Sequence, residues 1–214
     1  MPLVHHALRL GPLENNSYII ACSASREAAV VDVGFDPAAA IREVQRHGYR
    51  VRYLLATHAH YDHVAGMREV QRACGGTFHL HPADQPLLAV LSQQGAAFGF
   101  PPAEAPESIH DLADGQSIAL GEETLTVIHT PGHSPGGVCF HWKGDLWAGD
   151  TLFAGSVGRT DLPGGSFGQL AHAIRERLFP LGDAVRVHPG HGAASTLGEE
   201  RRHNPFVGVE ANLA

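Results

Sequence analysis

The stretch His58-x-His60-x-Asp62-His63 places three histidines and an aspartate in one short loop, directly behind the apolar run Val51–Thr57. Neutral imidazole and carboxylate are the groups that first-row divalent cations take, so a metal site is one reading. A solvated polar loop that happens to be rich in histidine is the other. Three further positions share the design. The run Thr124–His129 leads into "TPGHSPGG" with His133, Leu146–Ala148 leads into Asp150, and Ala184–Val187 leads into "HPGHG" with His191. Each candidate lies just past a strand-like run, on a loop bearing Gly or Pro. Strands sharing a direction would bring all seven side chains to one sheet edge. That recurrence favours metal over a polar loop. Seven ligands exceed the needs of one ion and suit two, with a carboxylate shared and solvent completing each shell. Two ions about 3.5–4 Å apart hold a hydroxide between them and make it a nucleophile at neutral pH.

The elements carrying these loops can be traced along the chain. Ser17–Cys22 and Ala28–Gly34 are apolar, β-branched runs joined by a polar turn, which predicts a hairpin. Asp36 as N-cap, Pro37 at the first helical position and Gly48 as the stop predict a helix between them. Val51–Thr57 has the length and content of a buried strand. Past the histidine loop a helix is expected over roughly 64–74, ended by Gly75–Gly76, then a short strand Thr77–His81 and a helix starting at Pro82. The Pro-, Ala- and Gly-rich segment Gly95–Gly115 is long for a structureless loop and suggests a flap over a site. Strand-like runs "SIAL", "TLTVIHT", "GVCFHW" and "DLWAGD" follow, then a glycine-rich loop Gly155–Gly168, a helix over roughly 169–178, the strand "AVRVHPG" and a helix starting near Thr196. Thr196 and Glu199 resemble a capping box. This order predicts an α/β protein with helices packed on a mixed sheet or pair of sheets. "YLLATHAHYDHVAG" and "VIHTPGHSPGG" echo one another faintly, both running strand, Thr, His, Gly.

Bulk properties narrow the classes. At 214 residues the chain suits one domain, 1–214, with a substantial core. A net charge of -7 and the lack of a Lys/Arg run beyond Arg201–Arg202 argue against nucleic acid and anionic membrane as partners. Sixteen histidines outnumber the 15 Lys and Arg together, which directs attention to metal. Cys22, Cys74 and Cys139 stand apart with no CxxC pair, as expected of free thiols in a reducing compartment. The first residues lack the pattern of a signal peptide, and no apolar run approaches the ~20 residues that span a bilayer. A cytoplasmic protein acting on a small molecule is the expectation.

"THAHYDH" resembles the THxHxDH signature of the metallo-β-lactamase superfamily, and "PGHSPG", "GDTLF" and "PGHG" follow in the order that superfamily uses. The resemblance covers nearly the whole chain. It implies a four-layer αββα sandwich, one ion on His58, His60 and His133, a second on Asp62, His63 and His191, and a bridging Asp150. Zn is the expected metal of both sites, with Fe and Mn also suited to such shells. Within the superfamily, "GDTLFAGSVGRTDLPGGS" and "GHGAASTLGEERRHNPF" look like the short glyoxalase II-like hydrolases of acylglutathione thioesters such as S-lactoylglutathione. On that reading a bridging hydroxide attacks the thioester carbonyl, Asp62 holds the hydroxide and takes its proton, and the thiolate leaves. Two features depart from full-length glyoxalase II. Only 23 residues follow His191, leaving no place for its C-terminal helical domain, and Arg159 and Asp161 replace a Lys and an aromatic. A rival is implied by the same motifs, since the persulfide dioxygenases share HxHxDH and an RTD loop but use a single iron on the equivalents of His58, His133 and Asp150. Lactonase activity would use the same hydroxide chemistry.

Some residues carry two readings each. Arg159 would hold a substrate carboxylate or pair with Asp161 to brace its loop. Asp32, closing "AVVDVG", would hydrogen-bond a ligating loop or cap a turn. Phe153, Phe167, Phe98 and Phe100 would line an apolar pocket or simply pack. His188 lies near His191, but strand alternation points it elsewhere.

Overall fold

The computed structural model describes residues 3–211. Six strands form the first sheet in sequence order: β1 (Leu3–Leu10), β2 (Asn15–Cys22), β3 (Glu27–Val31), β4 (Arg50–Leu55), β5 (Thr77–Leu80) and β6 (Ile109–Asp111). The first three pair antiparallel and β3 to β6 run parallel. Parallel neighbours need crossovers, which here are α1 (Pro37–His47), the pair α2 (Tyr61–Val64) and α3 (Met67–Cys74), and the pair α4 (Gln85–Ala89) and α5 (Leu91–Ala97). The second sheet contains β7 (Ser117–Leu120), β8 (Glu123–His129), β9 (Val138–Trp142), β10 (Asp145–Gly149), β13 (Arg186–Pro189) and β14 (Ser195–Thr196). A small hairpin, β11 (Leu152–Phe153) and β12 (Ser156–Val157), stands apart, and α6 (Phe167–Ala173) and α7 (Leu197–His203) complete the elements.

The strand sequences dictate the layering, because successive side chains leave a strand on opposite faces. Ile19, Ala28, Val30 and Leu54 join a core that includes Ala40 and Val44 of α1 and Met67 and Val70 of α3. Their neighbours Ile20, Ala29, Val31 and Leu55 join a second core with Val127, Phe140 and Trp147 of the other sheet. Residues Ile128, Cys139 and Leu146, one step along from those three, join a third core with Leu170 and Ile174 and with Leu197 of α7. Three apolar interiors between four layers, helix, sheet, sheet, helix, explain why β2 is buried along its whole length. This is the αββα arrangement that the motifs imply.

Direction within the second sheet settles where its loops point. β8 and β9 are antiparallel, as are β9 and β10, while β10 and β13 are parallel. Hence β8, β10 and β13 share one direction, and the residues after each emerge at the same edge. Backbone bonds join the two sheets there: Val138 N donates to Thr57 O at 2.8 Å and Asn16 N to Gly190 O at 2.7 Å.

Several local expectations need correction. The helix expected over 64–74 is split into α2 and α3, because Gly66 N turns away to donate to Val33 O at 2.8 Å. The helix expected from Pro82 begins as a 3₁₀ turn, Pro82–Asp84, since Pro86 has no N–H to continue the ladder, and breaks again between α4 and α5. The helix over 169–178 starts at Phe167 and ends in a π turn, Ile174–Leu178. Asp36 occupies the N-cap position of α1, but in a left-handed conformation without a side-chain cap bond. Thr196 does cap α7, accepting from Glu199 N at 3.2 Å. The segment expected as a flap is strapped to α3 instead: Gln71 Nε2 donates to Glu107 O at 3.0 Å, Arg72 pairs with Glu104 at 2.7 Å, and β6 extends the sheet.

Phe140, wholly buried between the sheets, tests this layering. Phe140→Ala is expected to lower stability by about 3–5 kcal/mol in urea unfolding followed by circular dichroism. A loss below about 1 kcal/mol would mean that the interior between the sheets is not close-packed.

Candidate metal centre

Four loops meet at the shared edge. After β4 the chain runs through Thr57 into His58 and His60, and the first turn of α2 carries Asp62 and His63. His133 follows β8, Asp150 follows β10 and His191 follows β13. The structure brings six of the seven side chains together in two adjoining groups, with the seventh, Asp150, facing both. One atom from each of His58, His60 and His133 forms the first, and one from each of Asp62, His63 and His191 the second.

In the first group His133 Nε2 lies 2.9 Å from His60 Nδ1 and 3.2 Å from His58 Nε2. Two of these rings are occupied on their far side, His133 Nδ1 donating to Arg159 O at 2.7 Å and His58 Nδ1 lying 3.0 Å from Thr57 Oγ1. With Nδ1 protonated, the Nε2 of His133 is a bare lone pair, and it faces one ring nitrogen each of His60 and His58, so that the three converge on a point where a proton or a cation can be shared. Tetrahedral Zn–N bonds of about 2.0–2.1 Å would set such nitrogens roughly 3.3 Å apart, close to what is found. In the second group Asp62 Oδ2 is 3.1 Å from His191 Nε2 and 3.7 Å from His63 Nε2. Asp150 faces both: Oδ1 is 3.3 Å from His63 Nε2, and Oδ2 is 3.6 Å from His133 Nε2 and 3.8 Å from His191 Nε2. His63 Nε2 and Asp150 Oδ1 are buried without a hydrogen-bond partner, a costly state for polar atoms.

Electrostatics fit cations at this place. Burial, then the rings of His63, His133 and His60, hold His58 well below the usual imidazole range, and burial with His133 brings His60 down to about 4. These rings stay neutral, as a ligand must. His63 is the opposite case. Burial disfavours its charge, yet the carboxylates of Asp150, Asp62 and Asp32 raise it well above the usual range. Burial likewise opposes ionisation of Asp150, and His63 above all holds it far below the usual carboxylate range. Neutral imidazoles beside an excess of carboxylate suit two divalent cations.

The ligand loops are held from behind. Asp32 Oδ1 accepts from Thr57 N at 2.8 Å, and Oδ2 accepts from Thr57 Oγ1 at 2.6 Å and from His63 Nδ1 at 3.0 Å. His191 Nδ1 donates to Leu13 O at 3.0 Å, and Asn16 Nδ2 donates to Pro189 O at 3.0 Å and Gly192 O at 2.9 Å. Asn15, Asn16 and Asp84 escape the sequence reading. The buried polar pair heading the apolar β2 was the available signal for the asparagines. Arg159 turns its guanidinium to Asp161 in a bidentate pair at 2.8 and 2.7 Å, and its carbonyl, not its side chain, reaches His133. Phe153 meets the His191 ring edge-on, centroids 6.3 Å apart. Phe100 stacks on Tyr61, Phe167 packs on the third core, and Phe98 is 64% exposed. His188 points away from the centre, to Asp145 at 2.8 Å, and stacks on Trp147. Two further histidine–carboxylate groups, His5–Asp145–His188 and His6–Glu43–His47, share no residue with this centre. Their carboxylates are already engaged by Arg186 at 2.9 Å and Arg46 at 2.7 Å.

Comparison with known proteins places this geometry. The model of the metallo-beta-lactamase superfamily matches residues 10–191, and the chain belongs to that superfamily. Hydroxyacylglutathione hydrolase GloC of Haemophilus influenzae is 33% identical over 187 residues, covering 85% of this chain and 88% of that protein. The crystal structure of TTHA1623 in a di-iron-bound form is similar with a TM-score of 0.86 at 36% identity, over 94% of this chain and 99% of that one. BLEG-1, described as a B3 metallo-beta-lactamase, gives a TM-score of 0.86 at 33% identity, over 95% and 99% of the two chains. Among the described residues no helix is long and apolar enough to cross a membrane.

Gly190 offers a test of the centre. A Cβ there would overlap Asp150 Oδ1 and crowd the His63 ring. Gly190→Ala is therefore expected to cut metal content per chain, measured by elemental analysis, while far-ultraviolet circular dichroism stays as in the wild type. Full metal content in the variant would show that the centre tolerates a displaced Asp150 carboxylate.

Proposed function

We propose that this member of the metallo-beta-lactamase superfamily is a metal-dependent hydrolase that cleaves acylglutathione thioesters, S-lactoylglutathione among them. The observation that carries the reading is the convergence of ring nitrogens beside a two-faced Asp150. His58, His60 and His133 would hold one ion, Asp62, His63 and His191 the other, and Asp150 would touch both. When bound, two divalent ions, Zn by preference and Fe or Mn as alternatives, supply Lewis acidity toward the carbonyl oxygen and bring a water into nucleophilic form near neutral pH. Asp62 is placed between His63 and His191, where its carboxylate would orient that water and accept its proton. Attack forms the carbon–oxygen bond and breaks the carbon–sulfur bond. The departing thiolate, from a thiol of pKa about 8.5, needs no strong general acid. The resemblance to a hydroxyacylglutathione hydrolase from Haemophilus influenzae supports the choice of substrate class.

Metal content after purification without chelator and incubation with mixed Zn, Fe and Mn is the first test, followed by a thioester panel. Two ions per chain and hydrolysis of S-lactoylglutathione are expected, with activity lost on chelation and restored by Zn. A single iron, with oxygen uptake on glutathione persulfide and no thioester cleavage, would overturn the reading in favour of persulfide oxidation. Lactone hydrolysis without thioesterase activity would move it to a lactonase.

Arg159 is proposed to exchange Asp161 for a carboxylate of the glutathione moiety. Arg159→Ala is expected to raise KM by about tenfold with kcat little changed, the loss of one charge-assisted hydrogen bond of about 1.5 kcal/mol. An unchanged KM would leave the pair as a brace of its loop.

A further inference from the structure

Asp84 is a carboxylate that the sequence reading does not single out and that touches none of the seven candidate ligands. It sits on the 3₁₀ turn between β5 and α4 and is 0% exposed. Its contacts reach two of the ligand loops. Oδ2 accepts from Ala59 N at 3.0 Å and from Ser134 Oγ at 2.8 Å, and Oδ1 accepts from Gly136 N at 2.5 Å. Ala59 lies between His58 and His60, and Ser134 follows His133. One carboxylate thus links the loop after β4, in the first sheet, to the loop after β8, in the second. These are the loops that supply the first group. Among the described residues no salt bridge offsets the Asp84 charge, so three hydrogen bonds carry its burial. The close approach is built in, because a Cβ on Gly136 would run into the backbone nitrogen and carboxyl of Asp84.

The second group is held by other means. Asp32 takes His63, Leu13 O takes His191, and Asn16 holds the backbone on both sides of His191. Asp84 makes no hydrogen bond to that group among the described residues.

We infer that Asp84 is a positioning residue for one ion alone, setting the separation of His58 and His60 from His133, while the ion on Asp62, His63 and His191 is indifferent to it. The inference rests on the metal reading above. It adds that, whereas Asp32 reaches both groups, through His63 and through Thr57 beside His58, Asp84 serves one alone, so that the two ions are separable by a mutation outside their ligands. Asp84→Asn keeps size and one acceptor but turns an NH₂ toward N–H donors, which forces the two loops apart.

The test measures Zn affinity by chelator competition in two backgrounds, each retaining one group. With His191→Ala, which leaves the first group intact, adding Asp84→Asn is expected to lower Zn affinity about 10–100-fold, the usual effect of removing an outer support. With His133→Ala, which leaves the second group intact, the same addition is expected to leave affinity unchanged. Ser134→Ala, which deletes one donor and leaves the two backbone donors on the carboxylate, is expected to weaken the first group less than Asp84→Asn does and to lower the melting temperature of the metal-free protein only slightly. It carries the test should Asp84→Asn fail to fold. Equal losses in both backgrounds, or a lower melting temperature of the metal-free protein with no selective change in affinity, would overturn the assignment. A wild-type chain holding one ion on His58, His60 and His133 would refute the two-ion reading, yet the fall in its affinity on Asp84→Asn would still support the role of Asp84.

Discussion

Crowding of lone pairs at one sheet edge is the constraint around which this protein is arranged. Ring nitrogens 2.9–3.2 Å apart and two carboxylates facing a buried imidazole sit together only where protons or cations are shared among them. Left to relax, such side chains would rotate toward water. They stay because the loops carrying them are fixed at their roots by strand direction and by the backbone bonds that join the sheets, Val138 to Thr57 and Asn16 to Gly190. The fold spends much of its polar bonding on keeping unlike loops in register at that edge.

All seven candidate ligands were legible in the sequence, for a reason rooted in geometry. A strand is recognisable from its β-branched and aromatic content, and a Gly- or Pro-bearing loop after it is equally plain. His58, His133, Asp150 and His191 each occupy that position. The layering was legible only in part. Apolar runs such as "SYIIAC" show that both faces of a strand are buried, but not which neighbour belongs to which interior. The division of Ile19 from Ile20, or Leu54 from Leu55, appears once the helices and the second sheet are in place.

What stayed hidden has a common cause. Asp84 and Asn16 act on backbone groups far along the chain, Gly136 in one case and Pro189 in the other, and a backbone N–H or carbonyl leaves no trace in residue type. The break at Gly66 likewise comes from a carbonyl of Val33, so the local pattern of a continuous helix was overridden by a distant partner. Arg159 was ambiguous because its guanidinium and its carbonyl serve different neighbours, and a sequence shows only the side chain.

The alternation of strand residues among three interiors means that chemistry and stability draw on almost disjoint sets of positions. Packing residues answer to volume, and the ligands and their supports answer to charge and hydrogen bonding. The side chains of Leu13, Phe153 and the Arg159–Asp161 pair form a third set at the rim, outside the three interiors and the seven candidate ligands, although the carbonyls of Leu13 and Arg159 accept from His191 and His133. A substitution at that rim would change what meets the centre while leaving the three interiors as they are.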